Sequence, residues 1–372
     1  MKKKRICIDI NSITPLFVYG NLYGVGRTTL ELVNAISKIK DDFDFEVLLY
    51  SQNMKGYGGK KLNLPLHASH FYLPNRKKVN NILNKLSLKK KVLKYDLYHV
   101  PHNTDYVEDL FKTIFTIHDL IVYRYPEMWG LTDEDRDYHK YLADNCRAII
   151  TCSEASKNDI VHFWNIDPAT VYVTPWGINR RVFSPMQQTS YINTLGIKKE
   201  NYFFCASCNH PRKNLPFLLN TFREYKKTGG SHQLVLLNPK QEDLNSVSDL
   251  IDKKEIIICR NVNDQELTEL YSNAKASIIV SLYEGFGLPV IESLACHTPV
   301  ISAHNSSLIE AGGNVADYIY EFEEKILSEK MYKYEHLKKD VLINIEEVEK
   351  HLSNFTWKKC AYDTMNIYQK HL

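Results

Sequence analysis

The stretch Ala276–Ser302 constrains this chain most. It opens on a short β-branched run, Ile278–Val280, the composition of a strand buried on both faces of a parallel sheet. Gly285 and Gly287 follow in a loop, where they permit a tight turn and a close approach to a ligand. Pro289 stands where a first helical turn accepts proline, Val290–Cys296 continues that helix, and Thr298-Pro299 ends it before a second strand at Val300-Ile301. A strand–loop–helix–strand unit in this order belongs to an open parallel α/β sheet, and its helix N-terminus is a place for an anion. Glu284 on the loop and Glu292 one turn into the helix frame that place. Free carboxylates repel a diphosphate, so this pair suits hydroxyl donors, such as those of a sugar and a ribose.

The rest of the chain must supply a matching body. At 372 residues it is too long for one ordinary core and suits two domains of about 180 residues each. Hydrophobic residues make up 44% and charged residues 24%, as in soluble globular proteins. No apolar run reaches the ~18 residues of a membrane-spanning helix. The basic start runs into Ile6–Ile8 but meets Asp9, so it reads as a first strand and not a signal peptide, and the expected compartment is the cytoplasm. Eight cysteines are scattered through apolar runs, as buried reduced thiols are. Cys205 and Cys208 form one close pair without a second pair or matched histidines, so they read as core thiols and not as a zinc site. Residues 1–183 carry 26 Lys and Arg against 20 Asp and Glu, whereas residues 184–372 carry 21 against 24. The first half is therefore the one suited to an anionic surface.

Taken in order, the first half offers several polar groups at strand ends. After strand Arg5–Ile10, Gly24 and Gly26 open a helix with Leu30, Val33 and Ile36 at helical spacing; Arg27 lies on its first turn. A nicotinamide-type fingerprint would want a third glycine where Thr29 stands. Residues 76–94 hold eight basic and no acidic side chains around an apolar stripe of Val79, Ile82, Leu83 and Leu86. Such a stretch either lies on an anionic membrane surface or packs its stripe on the domain. No aromatics interleave its cations, which disfavours nucleic acid. Strands at Asp96–Val100 and Thr113–Leu120 deliver His102, His118 and Asp119 to carboxyl ends, where open α/β sheets bind ligands. Ser153 caps the next helix, Val171–Val173 reads as the last strand, and the boundary is expected near 184–190. In the second half, Arg212 and Lys213 stand just before a helix, so cations and a helix dipole converge.

These motifs together carry a resemblance. Glu284-Gly-Phe-Gly-Leu-Pro-Val-Ile-Glu292 resembles the paired-glutamate motif of retaining family 4 glycosyltransferases. The Gly24–Arg27 loop, His118-Asp119-Leu120, the Ser153–Ser156 stretch, Pro211-Arg-Lys-Asn214 and the His304–Glu310 loop are similar to further motifs of that family. The resemblance covers nearly the whole chain. It implies an α/β GT-B fold of two Rossmann-like domains facing across a cleft, residues 1–185 on the acceptor side and 190–350 binding the nucleotide sugar. A final helix at 355–372 would cross back onto the first domain. It implies transfer of a hexose, GDP-mannose-like donors favoured, from a nucleotide diphosphate sugar to a hydroxyl of a glycan or lipid-linked glycan, in cell-envelope polysaccharide synthesis. Glu284 and His118 would face the donor sugar, Arg212, Lys213 and Gly287 the diphosphate, and Glu292 the ribose. Gly24, Gly26, Arg27, His102, Asp119 and Ser153 would line the acceptor and cleft loops. One departure is Ser207, where some members place an arginine six residues ahead of the lysine. No Asp-x-Asp motif occurs, so no metal and no cofactor is expected, and the work would be peripheral on the inner face of the cytoplasmic membrane. The alternative is a GT-B sugar-nucleotide epimerase or a catalytically silent nucleotide-sugar-binding partner.

Overall fold

The structure is a computed structural model that describes residues 3–19, 24–51, 64–70, 91, 93–102, 107 and 109–372. The basic stretch 76–94 lies almost wholly outside the described residues. The chain divides into two compact units, Met1–Gly177 with Trp357–Leu372, and Ile178–Thr356.

Short β-branched and aromatic runs form the strands of both units. Among the described residues of the first unit these are β1 (Lys4–Asp9), β2 (Phe45–Ser51), β3 (Ala68–His70), β4 (Leu97–Val100), β5 (Thr113–Thr116), β6 (Ala148–Thr151) and β7 (Val171–Val173). They pair in the order β3-β2-β1-β4-β5-β6-β7, every pair parallel. Alternate residues of β1 enter opposite cores. Ile6 and Ile8 pack with Val33, Ile36, Met365 and Tyr368, while Cys7 packs with Tyr98 and Phe115 on the other face. Burial on both faces is what an all-parallel sheet requires. Helix α1 (Val25–Ile39) supplies Val33 and Ile36. The last helix, Trp357–His371, supplies Met365 and Tyr368, so the end of the chain completes the core that its beginning starts.

The second unit repeats the scheme with β8 (Tyr202–Cys205), β9 (Gln233–Leu237), β10 (Ile256–Cys259), β11 (Ala276–Ile279), β12 (Val300–Ala303) and β13 (Asp317–Ile319). Their order is β10-β9-β8-β11-β12-β13, again all parallel. Each sheet therefore has one point where the strand order reverses, between β1 and β4 in the first and between β8 and β11 in the second. Loops leaving the carboxyl ends at such a point diverge and leave a crevice for ligands.

Several boundaries differ from the sequence reading. Strand β2 starts only at Phe45, because Lys40–Asp42 closes α1 with a tight 3-10 turn. The strand expected through Leu120 stops at Thr116, and residues 117–120 form the site loop. The two units part after Gly177, ahead of the expected 184–190, since the Ile178 N–H already donates to the Phe355 carbonyl at 3.0 Å within the second unit.

Candidate functional site

In the second unit the loop after β8 and the loop after β11 leave the reversal point side by side. The Leu282 N–H donates to the Arg212 carbonyl at 2.8 Å and ties them together. His210–Lys213 forms a 3-10 turn, with the His210 ring accepting from the Arg212 N–H, and Asn214 at φ 55° swings the chain into α2 (Leu215–Lys227). Arg212 and Lys213 are thereby aimed at the β11 loop. There both meet Glu284: Arg212 Nη1 lies 2.6 Å from Oε2 and Lys213 Nζ 2.5 Å from Oε1. Ser281 Oγ donates to Oε1 at 2.6 Å, and Arg212 also reaches the Tyr283 carbonyl at 3.3 Å. Glu284 is 5% exposed and Lys213 7%. Burial alone would push the Glu284 carboxyl up, but Lys213 and then Arg212 outweigh it and hold the group below the ordinary carboxylate range.

The loop after β12 fixes the backbone around Glu284. Ser306 Oγ accepts from the Glu284 N–H at 3.0 Å, Ser307 Oγ donates to its carbonyl at 2.8 Å, and Asn305 Nδ2 donates to the Ser281 carbonyl at 3.0 Å. Ser306 holds this position at φ 43°, a left-handed conformation that an L residue adopts at a cost. Gly287 caps the next helix, α3 (Leu288–Ala295), at φ 95°. A Cβ there would lie 3.0 Å from the Ala311 Cβ, so both the backbone and the neighbour demand glycine. Glu292, four residues into α3, accepts from the Tyr271 hydroxyl at 2.9 Å. Glu284 thus pairs with two cations, and Glu292 accepts a hydrogen bond from a phenol.

The first unit gathers a second polar cluster at its own reversal point. Asp9 at the end of β1 accepts from the Asn11 N–H at 2.8 Å, Asn11 Nδ2 at 3.0 Å, the Tyr98 hydroxyl at 2.7 Å and His102 Nε2 at 2.9 Å. His118 is buried after β5, its Nε2 donating to the Pro101 carbonyl at 3.1 Å and its ring packed edge-on to Trp176 at 5.2 Å. Burial, reinforced by His102, lowers its pKa to about 4, so the ring is neutral at pH 7 with Nδ1 as an acceptor. Among the described residues Nδ1 has no hydrogen-bond partner, and the ring lines a cavity of about 20 Å³ with Thr28, Thr29, Thr116 and Thr174. Ser156 Oγ donates to the His118 carbonyl at 3.0 Å, while Ser153 caps its helix (Glu154–Trp164) by accepting from the Ser156 N–H. Ser153 therefore supports His118 through the helix start. Asp119 turns inward on its own loop, accepting from the Ile121 N–H at 3.1 Å. Gly24 caps α1 at φ 52°, Gly26 is buried on that helix, and Arg27 is half-buried beside it.

Asp9, Tyr98, Ser281 and Tyr271 play parts that the sequence reading missed. Asp9 was legible as the acid ending the first strand; the other three have no sequence signal, because only the fold brings them to their partners. The eight cysteines are free thiols, and Cys208 Sγ donates to the Leu237 carbonyl at 2.9 Å. Among the described residues no group of three His, Cys, Asp or Glu is placed to hold a metal ion, and no helix is long and apolar enough to cross a membrane.

Two parallel sheets, each with a cluster of polar side chains at its reversal point, define a class, and comparison with known proteins gives it a name. The family described as glycosyl transferases group 1 matches residues 187–344, and glycosyltransferase family 4 matches residues 23–182. The chain belongs to the family 4 glycosyltransferases and is a transferase of GT-B fold. It is 27% identical over 259 residues to an O-antigen chain mannosyltransferase of Salmonella typhimurium, covering 68% of this chain and 66% of that protein. It is 24% identical over 284 residues to O-antigen chain mannosyltransferase B of Escherichia coli, covering 73% and 72%. The chain thus spans about two thirds of the length of these relatives. The Anabaena protein HepE, solved in complex with UDP, superposes with a TM-score of 0.74 at 13% identity over 99% of this chain and 100% of that one.

Proposed function

We propose that the chain is a retaining hexosyltransferase that moves mannose from GDP-mannose to a hydroxyl of a glycan or lipid-linked glycan in cell-envelope polysaccharide synthesis. The observation that carries this reading is the convergence of Arg212, Lys213 and Glu284 at the β8–β11 reversal point. Two cations there, with the N-terminus of α3 adjoining, suit a diphosphate whose charge grows as the sugar leaves. The mannosyltransferase names of two relatives favour mannose and O-antigen-type glycans. The UDP bound to HepE favours a nucleoside diphosphate as the carrier.

In the free protein Glu284 occupies the cations. On donor binding the diphosphate takes them over, and the carboxylate is released to the sugar hydroxyls. The bond between the anomeric carbon and the phosphate oxygen breaks, and the acceptor oxygen bonds that carbon on the same face. The acceptor proton passes to the leaving phosphate. Glu292 receives ribose hydroxyls. On the first unit we assign neutral His118 to a sugar hydroxyl, which its Nδ1 can accept, and Gly24, Gly26, Arg27, His102, Asp119 and Ser153 to the loops that serve the acceptor. Side-chain cations and helix dipoles supply the charge, so neither metal nor cofactor enters.

The test is release of nucleoside diphosphate from a panel including GDP-mannose and UDP-glucose, in excess EDTA, with and without a lipid-glycan extract. Release from GDP-mannose that requires the extract is expected. Release without acceptor, or activity that EDTA abolishes and magnesium restores, contradicts the reading.

A further inference from the structure

Cys205 ends β8, and Cys208 stands three residues on, at the root of the loop that carries Arg212 and Lys213. A Cys-x-x-Cys run beside a parallel strand is a spacing at which two thiols can meet across one turn. Here they do meet, and a hydrogen bond joins the two sulfurs. Cys208 Sγ also lies 2.9 Å from the Leu237 carbonyl at the end of β9 and 4.0 Å from the Cys205 carbonyl. Cys205 Sγ lies 3.6 Å from the Ser207 carbonyl. Each thiol has one weakly donating hydrogen, so these acceptors compete for two protons. Both residues are buried, Cys205 at 3% exposure and Cys208 at 1%. Their cover is one turn of loop, in which Ala206 and Ser207 are half-buried and Asn209 is exposed. Local opening of such a turn admits a small oxidant.

The two sulfurs are not equivalent. The hydrogen bond from Cys208 outweighs burial and lowers the Cys205 pKa, and the Lys213 charge adds to it. The same bond, and then burial, pushes Cys208 up. Cys205 is therefore the attacking sulfur and Cys208 the protonated partner, the two roles that disulfide formation needs.

We propose that Cys205 and Cys208 form a reversible redox pair, which hydrogen peroxide converts to a disulfide that displaces the Arg212–Lys213 loop and weakens diphosphate binding. The effect on binding rests on the assignment of Arg212 and Lys213 to the donor phosphates. In the first step the Cys205 thiolate attacks one peroxide oxygen, the O–O bond breaks, and a sulfenic acid and hydroxide result. In the second, the Cys208 sulfur bonds the Cys205 sulfur, the S–O bond breaks, and the hydroxyl leaves as water with the Cys208 proton. The two sulfurs give up two electrons, which the peroxide oxygens take. The disulfide removes the hydrogen by which Cys208 holds the Leu237 carbonyl, so the root of the loop comes off β9. The loop stays tied at Arg212, whose carbonyl accepts from the Leu282 N–H at 2.8 Å. A loop pulled at its root and held at Arg212 shifts or strains where its two cations stand.

The experiment treats the reduced full chain with hydrogen peroxide, maps the cysteine peptides by mass, and titrates GDP and UDP calorimetrically before and after. The peptide holding Cys205 and Cys208 should lose two hydrogens, about 2 Da, and regain them with dithiothreitol. The diphosphate of the preferred base should bind about tenfold weaker to the oxidised protein, the loss of one charge-assisted bond, and recover on reduction. Cys208→Ser should stop the disulfide and leave Cys205 as a sulfenic acid that dimedone labels. Cys205→Ser should bind the diphosphate as reduced wild type does, with the same affinity after peroxide. An unchanged peptide mass in wild type overturns the proposal, and so does a disulfide that leaves diphosphate affinity as it was. Should either variant not fold, these two wild-type measurements decide by themselves. If the reduced wild type binds diphosphate no tighter than monophosphate, the phosphate assignment is what fails, and the peptide mass still decides whether the redox pair exists.

Discussion

Glu284 is the most heavily engaged residue of the site, and its environment makes its removal costly before any chemistry is considered. It is the counter-charge for Lys213, which is itself buried, and for half-buried Arg212. Glu284→Ala leaves that lysine without its partner, a change that destabilises by about 3–5 kcal/mol. The melting temperature of the second unit should fall by roughly 6–15 °C, and GDP or UDP should raise it more in the variant than in wild type, because a diphosphate replaces the lost charge. Thermal scans with and without nucleotide check this; a variant that melts with wild type means the cations do not depend on Glu284. The pH sign follows from the depressed carboxyl. Its stabilisation is present above the unfolded value of ~4.3 and is lost as pH falls through the folded one, a loss that Glu284→Gln should lack. At this scale, glutamate spacing and the Arg-Lys pair were legible in the chain because they lie within one loop each. The bonds between them were not, since residues about 70 positions apart meet only through strand order. The sequence reading gave Glu284 to hydroxyls, and the free structure gives it to cations.

At the scale of elements, the segments with a strong period or clear caps were the ones that could be read. The helix Asp264–Asn273 has sharp bounds, because Asn263 and Glu266 form its cap and Ala274 ends it. Strand ends were harder, since Thr116 and Leu120 differ little in propensity and tertiary pairing decides where the ladder stops. The basic stretch 76–94, almost wholly outside the described residues, is the segment whose role we propose from sequence alone. With eight cations beside an apolar stripe it should hold the protein on anionic membrane, each engaged Lys or Arg contributing about 1 kcal/mol. Co-sedimentation with phosphatidylserine vesicles should therefore occur at low salt and fade near 1 M, where the Debye length is ~3 Å. Changing Lys89, Lys90 and Lys91 to Glu should abolish it. Equal pelleting of variant and wild type, or none by either, would contradict that role.

At the scale of the whole molecule, one rule operates twice. Each parallel sheet reverses its strand order once, and each reversal collects polar side chains at strand ends: Asp9 with His102 in the first unit, Arg212 and Lys213 with Glu284 in the second. Alternating strands and helices made that architecture legible. The last helix belongs to the first unit because Met365 and Tyr368 fill the core beside Val33, a pairing across more than 300 residues that no local pattern encodes. Function then depends on whether the second cluster is a diphosphate site. The most direct measurement is titration calorimetry with GDP against GMP, and UDP against UMP, on wild type and the double variant Arg212→Ala, Lys213→Ala. Wild type should bind the diphosphate of its base at least roughly tenfold tighter than the monophosphate, since each charge-assisted bond is worth about 1.5–3 kcal/mol, and the double variant should lose that difference. A diphosphate preference that survives the double substitution would contradict the assignment of Arg212 and Lys213 to the donor phosphates.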